Sequence, residues 1–533
     1  MSGEISSTEG ANVITVCGHR TLGELIHAGA NFRGNDTLLC FETAEGTIYE
    51  HSWTDVAERM EDARRRLAAL GVAPGDVVVL CLRNCPAFHI LWWAISSLGA
   101  AMLPAEPSSG AILLRRLVDA TKARVLITTP AHVTNAKDTT SGPAACRILV
   151  VQDELLSDPR SSVEGWGNDR DPHPPAPNSH LDTAALLQTS GSTGVPKLVE
   201  LTHANYIFAG ESTARNYGLT GDDRAFICLP LFHSGAQFFS TMASVVTFGS
   251  IGYVPQFSAS GYMESIVATQ STWGVLFGPP MRMIIRRWRE RGGARVDTGR
   301  FRLQLYAQSV SDAEWSDWHQ AFGDIDARQG YGQTETTALR IGHSPWSRWE
   351  RQALGTPFLE TEVRLIDADG HDVDIGEPGE LLVKGVPGVT LMKGYYKQPE
   401  VTARTMIDGW VHTGDVMIRR ADGAFTFVAR ASHIIKRAGE NLSLPELEGM
   451  LVDCPLTSEV ALTAEPDELL EQKLVAFVVP NAGYSHERFL EWCVKNLGRN
   501  GRPDEVVELA YLPRSGVGKV LVGQLRQHIG QRS

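Results

Sequence analysis

Apolar residues along this chain follow two rhythms. From Thr54 to Leu70 they recur at helical spacing with charges gathered on the other face, which predicts an amphipathic helix. Asp76 to Leu82 is a short apolar run and predicts a buried strand, Ala184-Ala185-Leu186-Leu187 predicts another, and Ala424 to Val428 is strand-like too. The densest apolar stretch, Ile90 to Pro104, is too short to span a bilayer and predicts a core helix and strand. Phe238 to Val254 is also uncharged, but Ser, Thr and Gly interrupt it. Strand and helix patterns alternate, which predicts an α/β fold of layered sheets and helices with parallel strands. Gln152 to Asp182, polar and rich in Pro and Ser, predicts a surface excursion rather than a domain break. The domain boundary is expected near Ala431-Ser432, dividing the chain into 1–431 and a small α+β domain, 432–533. There is no internal repeat.

A length of 533 residues exceeds what one hydrophobic core supports, so two or more domains are expected. The formal charge of −13 argues against nucleic-acid or anionic-membrane partners, because no global positive field attracts phosphate backbones. The polar, acidic opening Met-Ser-Gly-Glu-Ile-Ser does not resemble a signal peptide. Eight cysteines are scattered without a Cys-x-x-Cys pair, which predicts reduced core residues of a cytoplasmic protein.

One loop stands out for its chemistry. After the apolar run at 184–187 come Thr189, Ser190, Gly191, Ser192, Thr193, Gly194, Val195, Pro196 and Lys197. Two glycines let the backbone wrap an anion, the hydroxyls donate hydrogen bonds, and Lys197 adds positive charge. That suits a polyphosphate; a plain polar surface turn is the alternative. It is not a Walker loop, because no Gly-Lys-Ser/Thr tripeptide opens a following helix.

Four further segments bear on that choice. Gly330-Tyr331-Gly332-Gln333-Thr334-Glu335 gathers a ring, a hydroxyl and a carboxylate in one short turn. Trp410 to Asp415 places an acid just after a glycine. Arg430 precedes Ile435-Lys436-Arg437-Ala438-Gly439-Glu440-Asn441, and Leu512 to Lys519 ends in a lysine on a Gly-rich turn. In order and spacing these five motifs resemble the adenylate-forming superfamily of acyl-CoA ligases, adenylation domains and luciferases, from about Thr21 to Gln524. Phe232-His233, Lys384 to Gly388 and Ile435 to Leu447 most resemble the crotonobetaine/carnitine–CoA ligases within it.

The resemblance implies a large N-terminal domain, a mobile C-terminal lid hinged at Ser432, and the use of ATP, Mg²⁺ and coenzyme A. It implies that the Thr189–Lys197 loop holds the β- and γ-phosphates, that Thr334 donates to the α-phosphate, and that Glu335 helps hold the metal. Tyr331 would stack on adenine beside Gly330, Gly332 and Gln308, while Asp415 and Arg430 fix the ribose. Lys519 would be the catalytic cation, and Lys436 and Gly439 would serve the second step. His233, Gly235, Ala236, Gln237 and Ala307 would line the acyl site. Amino-acid-activating relatives carry an Asp where His233 stands, so an α-ammonium would be left unpaired here and amino acids are not the expected substrate. Small residues at 235, 236 and 307 hint at a bulky apolar acyl group.

Three positions depart from the superfamily pattern: Leu198 after the loop lysine, Ala307-Gln308-Ser309-Val310 at the adenine turn, and Ala431-Ser432-His433 at the hinge. A bulkier adenine turn weakens the case for efficient adenylation, although neutral drift is the favoured explanation. Alternatives therefore stay open: thioester formation from an adenylate made by a partner enzyme, transfer to a carrier protein, or a silent acyl-nucleotide-binding protein. Arg286-Arg287-Trp288-Arg289-Glu290-Arg291 reads either as a solvated helix face or as a landing site for coenzyme A phosphates. If Lys519 acts only in the first step, Lys519→Ala cuts adenylate formation about a hundredfold or more. Thioester formation from supplied acyl-adenylate should stay near normal, and equal loss in both assays would refute that division.

Overall fold

The computed structural model describes residues 19–107, 109, 111–133, 136, 146–151, 171, 178–189, 197–307, 310, 312–323, 325–343, 353–430, 434–437, 440–452, 454–467, 471–497, 501–515 and 520–530. By packing, the chain divides into two compact units. The first comprises Met1–Trp349, Pro357–Glu362 and Lys384–Val411; the second comprises Glu350–Thr356, Val363–Val383 and His412–Ser533.

Two sheets carry the first unit. In the larger, Asp326–Gly332, Leu303–Ala307, Trp273–Phe277, Arg224–Ile227, Ser250–Tyr253 and Thr37–Glu42 lie side by side and parallel. In the smaller, Thr183–Thr189, Ala101–Pro104, Val77–Leu80, Val125–Thr128 and Arg147–Val150 are parallel, and Lys197–Thr202 pairs antiparallel with Thr183–Thr189. Successive side chains of a strand face opposite ways, and both faces are covered. Val78 and Leu80 enter the central core, while Val77 and Val79 pack on the outer side with Leu114, Leu117 and Val118. Likewise Ala225 and Ile227 face the central core, and Phe226 faces the helices carrying Ile284 and Trp318. This is why the strands read as unbroken apolar runs. The expected layered α/β architecture is what the chain adopts.

Three helices of the first unit are started by side chains at their own N-termini. Thr21 with Glu24, Ser52 with Asp55 and Thr202 with Asn205 each form a reciprocal cap. The amphipathic helix expected at 54–70 is Trp53–Ala69, and the dense apolar stretch becomes helix Pro86–Ser97 followed by strand Ala101–Pro104. Helix Pro86–Ser97 lies within the central core, buried on every side. Most of the excursion at 152–182 lies outside the described residues; Asn178 at its end donates to the Ser96 and Ser97 carbonyls. No helix among the described residues is long and apolar enough to cross a membrane. The seven described cysteines are buried and unbridged, as expected of core residues.

The second unit holds most of strands Glu362–Ile366, Pro378–Lys384, Trp410–Arg419 and Phe425–Arg430, which share one sheet. Packing therefore groups these strands with the C-terminal segment, which differs from a division at 431/432. Further on, Thr457–Asp467, Glu471–Pro480 and Glu505–Glu508 form a second sheet covered by helices Leu444–Leu451 and His486–Leu497. Glu448 points into that core, where its Oε1 accepts from the Leu462 amide at 2.7 Å.

Burial pushes the Glu448 carboxyl up to about 6 from 4.5, against the pull of that hydrogen bond. The folded state thus binds more protons than the unfolded one between those values. Stability falls as pH rises through that window and stays at the lower level above it. Glu448→Gln should raise stability by ~1–2 kcal/mol at pH 7.5 and change it little at pH 4.5. Thermal unfolding of both proteins at the two pH values checks this.

Candidate active site

Four neighbouring parallel strands of the larger sheet end along one edge, and the expected site residues follow from those ends. Phe277 closes Trp273–Phe277, Ala307 closes Leu303–Ala307, and Gly330-Tyr331-Gly332 closes Asp326–Gly332. His233 comes shortly after Arg224–Ile227. Ligands of open α/β sheets bind outside the carboxyl ends of the strands, because the connecting loops diverge there.

His233 opens a segment wound as a π-helix, Gly235–Thr241, with the Met242 amide reaching back to the Gln237 carbonyl. The His233 Nδ1 accepts from the Gly235 amide at 3.3 Å, and its ring meets Phe277 edge to face at 5.7 Å. A Cβ on Gly235 would sit 3.3 Å from Phe277 Cζ and 3.7 Å from His233 Nδ1, so only glycine leaves this corner open. Ala236 and Gln237 are fully buried. The Gln237 amide accepts from the Tyr206 hydroxyl at 2.5 Å and donates to the Leu231 carbonyl at 2.6 Å. In this structure both ends of that amide hold the wide helical turn in place.

Ser234 joins this segment to the next, its hydroxyl 3.0 Å from that of Thr334. The turn around Thr334 is tightly specified. Thr336 Oγ1 accepts from the Gln333 amide at 3.0 Å, and a Cβ on Gly332 would lie 2.3 Å from the Ala338 carbonyl oxygen. Glu335 is gripped twice by one later segment. Its carbonyl accepts from the Met392 amide at 2.9 Å, and its Oε1 accepts from the Tyr395 hydroxyl at 2.9 Å. The face of the same Tyr395 ring carries the Lys197 ammonium, 4.9 Å from its centre. Thr189 and Lys197 are cross-strand partners, so they close the hairpin whose loop, Ser190 to Gly194 included, lies outside the described residues.

Residues 27–396 match the family of AMP-binding enzymes, and residues 446–519 match the AMP-binding enzyme C-terminal domain. The chain belongs to the AMP-binding enzyme family. The superfamily resemblance read from its motifs is borne out. Two of its relatives are crotonobetaine/carnitine–CoA ligases. That of Proteus mirabilis is 29% identical, covering 96% of this chain and 100% of its own length. That of Salmonella enteritidis is 28% identical over the same shares. In fold the chain is similar to ATP-bound MatB from Rhodopseudomonas palustris, with TM-score 0.82 and 20% identity, over 96% of this chain and 99% of that one. It is also similar to the anthranilate CoA ligase AuaEII in complex with anthranoyl-AMP, with TM-score 0.82 and 22% identity, over 96% and 97%.

In the second unit of this AMP-binding enzyme, Asp415 is buried and pairs across the sheet with Arg430. Gly414 before it takes φ 67°, which frees its amide to donate to Glu380 Oε1 at 3.0 Å. Strands Ile434–Arg437 and Glu440–Ser443 pair antiparallel, ending at the Arg437 and Glu440 pair. Arg514 and Val520 form a bridge that closes the loop ending in Lys519. Gln308, Ser432, Gly439 and Lys519 themselves, and the side chains of Arg430 and Lys436, lie outside the described residues.

Two of the departures find a packing reason. Leu198 is buried in the outer core of the smaller sheet, and Val310 packs against the core behind the larger one. The arginines of helix Gly278–Glu290 are exposed and ion-paired: Arg286 and Arg287 with Glu290, Arg289 with Asp317. Just past its end Arg291 pairs with Glu264, as a solvated face would be arranged.

Motif reading missed the residues that hold the motifs. The Thr202 hydroxyl donates to the Gly388 carbonyl at 2.6 Å, and Asn205 Nδ2 donates to the Val389 and Leu391 carbonyls at 2.9 and 2.7 Å. Arg340, fully buried, reaches the Thr336 and Thr390 carbonyls. A charge inside the apolar run Ala338 to Ile341 was the available signal. Gly332→Ala should weaken ATP binding about tenfold or more, because the new Cβ meets backbone and must displace the turn by an ångström. Calorimetric titration with ATP, alongside a check that the variant is folded, measures this.

Proposed function

We propose that this AMP-binding enzyme is an ATP-dependent acyl-CoA ligase for a non-amino carboxylic acid, apolar beyond its carboxylate. The contact between Ser234 and Thr334 carries the reading, because it sets the His233 corner beside the Thr334–Glu335 turn. An acid lying against His233 and Phe277 would present its carboxylate next to the α-phosphate held by Thr334. A carboxylate oxygen then attacks the α-phosphorus, the bond to the bridging oxygen breaks, and pyrophosphate leaves. In the second step the coenzyme A thiol displaces AMP to give the thioester. The names of the relatives favour coenzyme A as the acceptor.

Glu335 suits a hard cation. One carboxylate oxygen is fixed by Tyr395, and among the described residues the other takes no hydrogen bond, leaving it for an ion that prefers oxygen ligands and keeps several waters. Mg²⁺ there would neutralise charge on the phosphates. Thr334 and Lys197 would add hydrogen-bonding and positive charge from the protein side. Asp415 and Arg430, side by side on adjacent strands, suit the two ribose hydroxyls. Lys519 would approach the α-phosphate in the first step, and rotation about Ser432 would then bring Gly439 and Lys436 to the thiol.

Substrate chemistry follows from what is missing near His233. From Arg224 to Met263 the chain has no Asp or Glu, so this segment offers a substrate ammonium no counter-charge. We therefore place the acid outside the betaine class, although the relatives are named for it. A panel of aromatic, branched and linear acids, with carnitine and crotonobetaine included, tests this through pyrophosphate release and thioester formation. Turnover only with the betaines would overturn the substrate assignment. Running the panel with coenzyme A, with a phosphopantetheinylated carrier, and with supplied adenylate separates the other acceptors and a partner-dependent enzyme. With the accepted acid, His233→Asp should lower turnover about tenfold or more, because a second carboxylate repels the first, and should confer no turnover of α-amino acids.

A further inference from the structure

The turn that carries Thr334 and Glu335 is held in a strained shape. Thr337, a β-branched residue, sits at φ 61°, a backbone region such residues avoid. Its hydroxyl donates to the Thr390 carbonyl at 2.9 Å. Arg340 reaches back from the next strand and donates from Nε to the Thr336 carbonyl at 2.9 Å and from Nη2 to the same Thr390 carbonyl. The turn is thereby tied to the segment that Asn205 fixes from the other side through the Val389 and Leu391 carbonyls.

Arg340 is an expensive residue for this place. It is fully buried, with its guanidinium 4.8 Å from the centre of the Phe208 ring, and burial lowers its pKa to about 10. The Glu360 charge opposes that shift, but Glu360 is itself engaged by the Ser212 hydroxyl and by Asn216 Nδ2. An aliphatic side chain would extend the run Ala338-Leu339 to Ile341 without removing a charge from water. Only a rigid, forked donor bridges two carbonyls from one position.

We propose that Arg340 is a positioning residue for the Thr334–Glu335 turn, holding the Glu335 carboxylate where a divalent cation meets the nucleotide phosphates. Arg340 bonds backbone carbonyls of the turn and of the segment beside it, so its proposed role is indirect. It acts through Thr336, the neighbour of Glu335, and through Thr390, two residues before the Met392 amide that holds the Glu335 carbonyl. The proposal rests on reading the site as one that binds Mg²⁺ and ATP.

The test uses the full-length protein with Arg340→Met, which keeps an unbranched apolar stem, and Thr337→Gly, which removes the hydroxyl anchor and accommodates the positive φ. ATP affinity is titrated calorimetrically at a series of Mg²⁺ concentrations, with thermal unfolding run in parallel. Each folded variant should need about tenfold or more Mg²⁺ to reach half its maximal ATP affinity, as loss of a group orienting a metal ligand commonly does. Thioester formation from supplied acyl-adenylate should fall by much less, since the adenylate keeps the α-phosphate that Thr334 would hold but has lost the β- and γ-phosphates that call for the cation. An unchanged Mg²⁺ requirement in folded Thr337→Gly or Arg340→Met would overturn the proposal. So would equal losses in the Mg²⁺ titration and in thioester formation, which would mark a general structural role. Because the titration uses no acid, its result is independent of the acid panel, and the two readings fail separately.

Discussion

A carboxylate proposed to meet a metal ion must be held still without being satisfied, and much of the first unit bears on how Glu335 is held. Tyr395 takes one oxygen, Met392 takes the carbonyl, and both belong to a segment with little regular structure of its own. That segment keeps its shape because the first turn of helix His203–Tyr217 holds it. Thr202 and Asn205, which cap the helix, also bond the carbonyls of Gly388, Val389 and Leu391. A cap ordinarily satisfies the helix's own orphan amides. Here the capping residues spend their remaining hydrogen-bonding capacity on the floor beneath the site.

The parallel sheet does the rest. Its strands are buried on both faces and cannot shift register without moving every side chain to the wrong core. Their ends are therefore fixed relative to one another, and residues far apart in sequence, such as His233, Phe277, Ala307 and Thr334, start from a common rigid edge. Precision at the site comes from the sheet; the chemistry comes from loops that can vary upon it.

How far this was legible beforehand depends on what each feature looks like in a single sequence. Buried strands and the amphipathic helix at Trp53–Ala69 were legible because apolar spacing reports burial directly. The Thr189 to Lys197 loop and the Tyr331 to Glu335 turn stood out because their residue types are unusual together, although residues 190–196 lie outside the described ones. Tyr395, Asn205 and Arg340 did not, since each also has a partner 50 or more residues away and none belongs to a dense motif. Packing also groups the strands before residue 431 with the C-terminal segment, because pairing along Trp410–Arg419 and Phe425–Arg430 is a tertiary fact. Residue types announce what a site can do, while the supporting contacts that make it work are spread thinly through the chain.

The π-helix at Gly235–Thr241 has a consequence for how such a protein changes over time. Its wide winding begins just after His233, whose ring meets Phe277. Loss of one residue would let the segment relax to ordinary α-helical winding and turn everything before the deletion by about 100°. A different set of side chains would then face the acid, with the sheet untouched. If the acid binds at this corner as proposed, selectivity there is set by length as well as by composition. Relatives that differ here by a single insertion or deletion would be expected to differ more in the acids they accept than relatives separated by several substitutions.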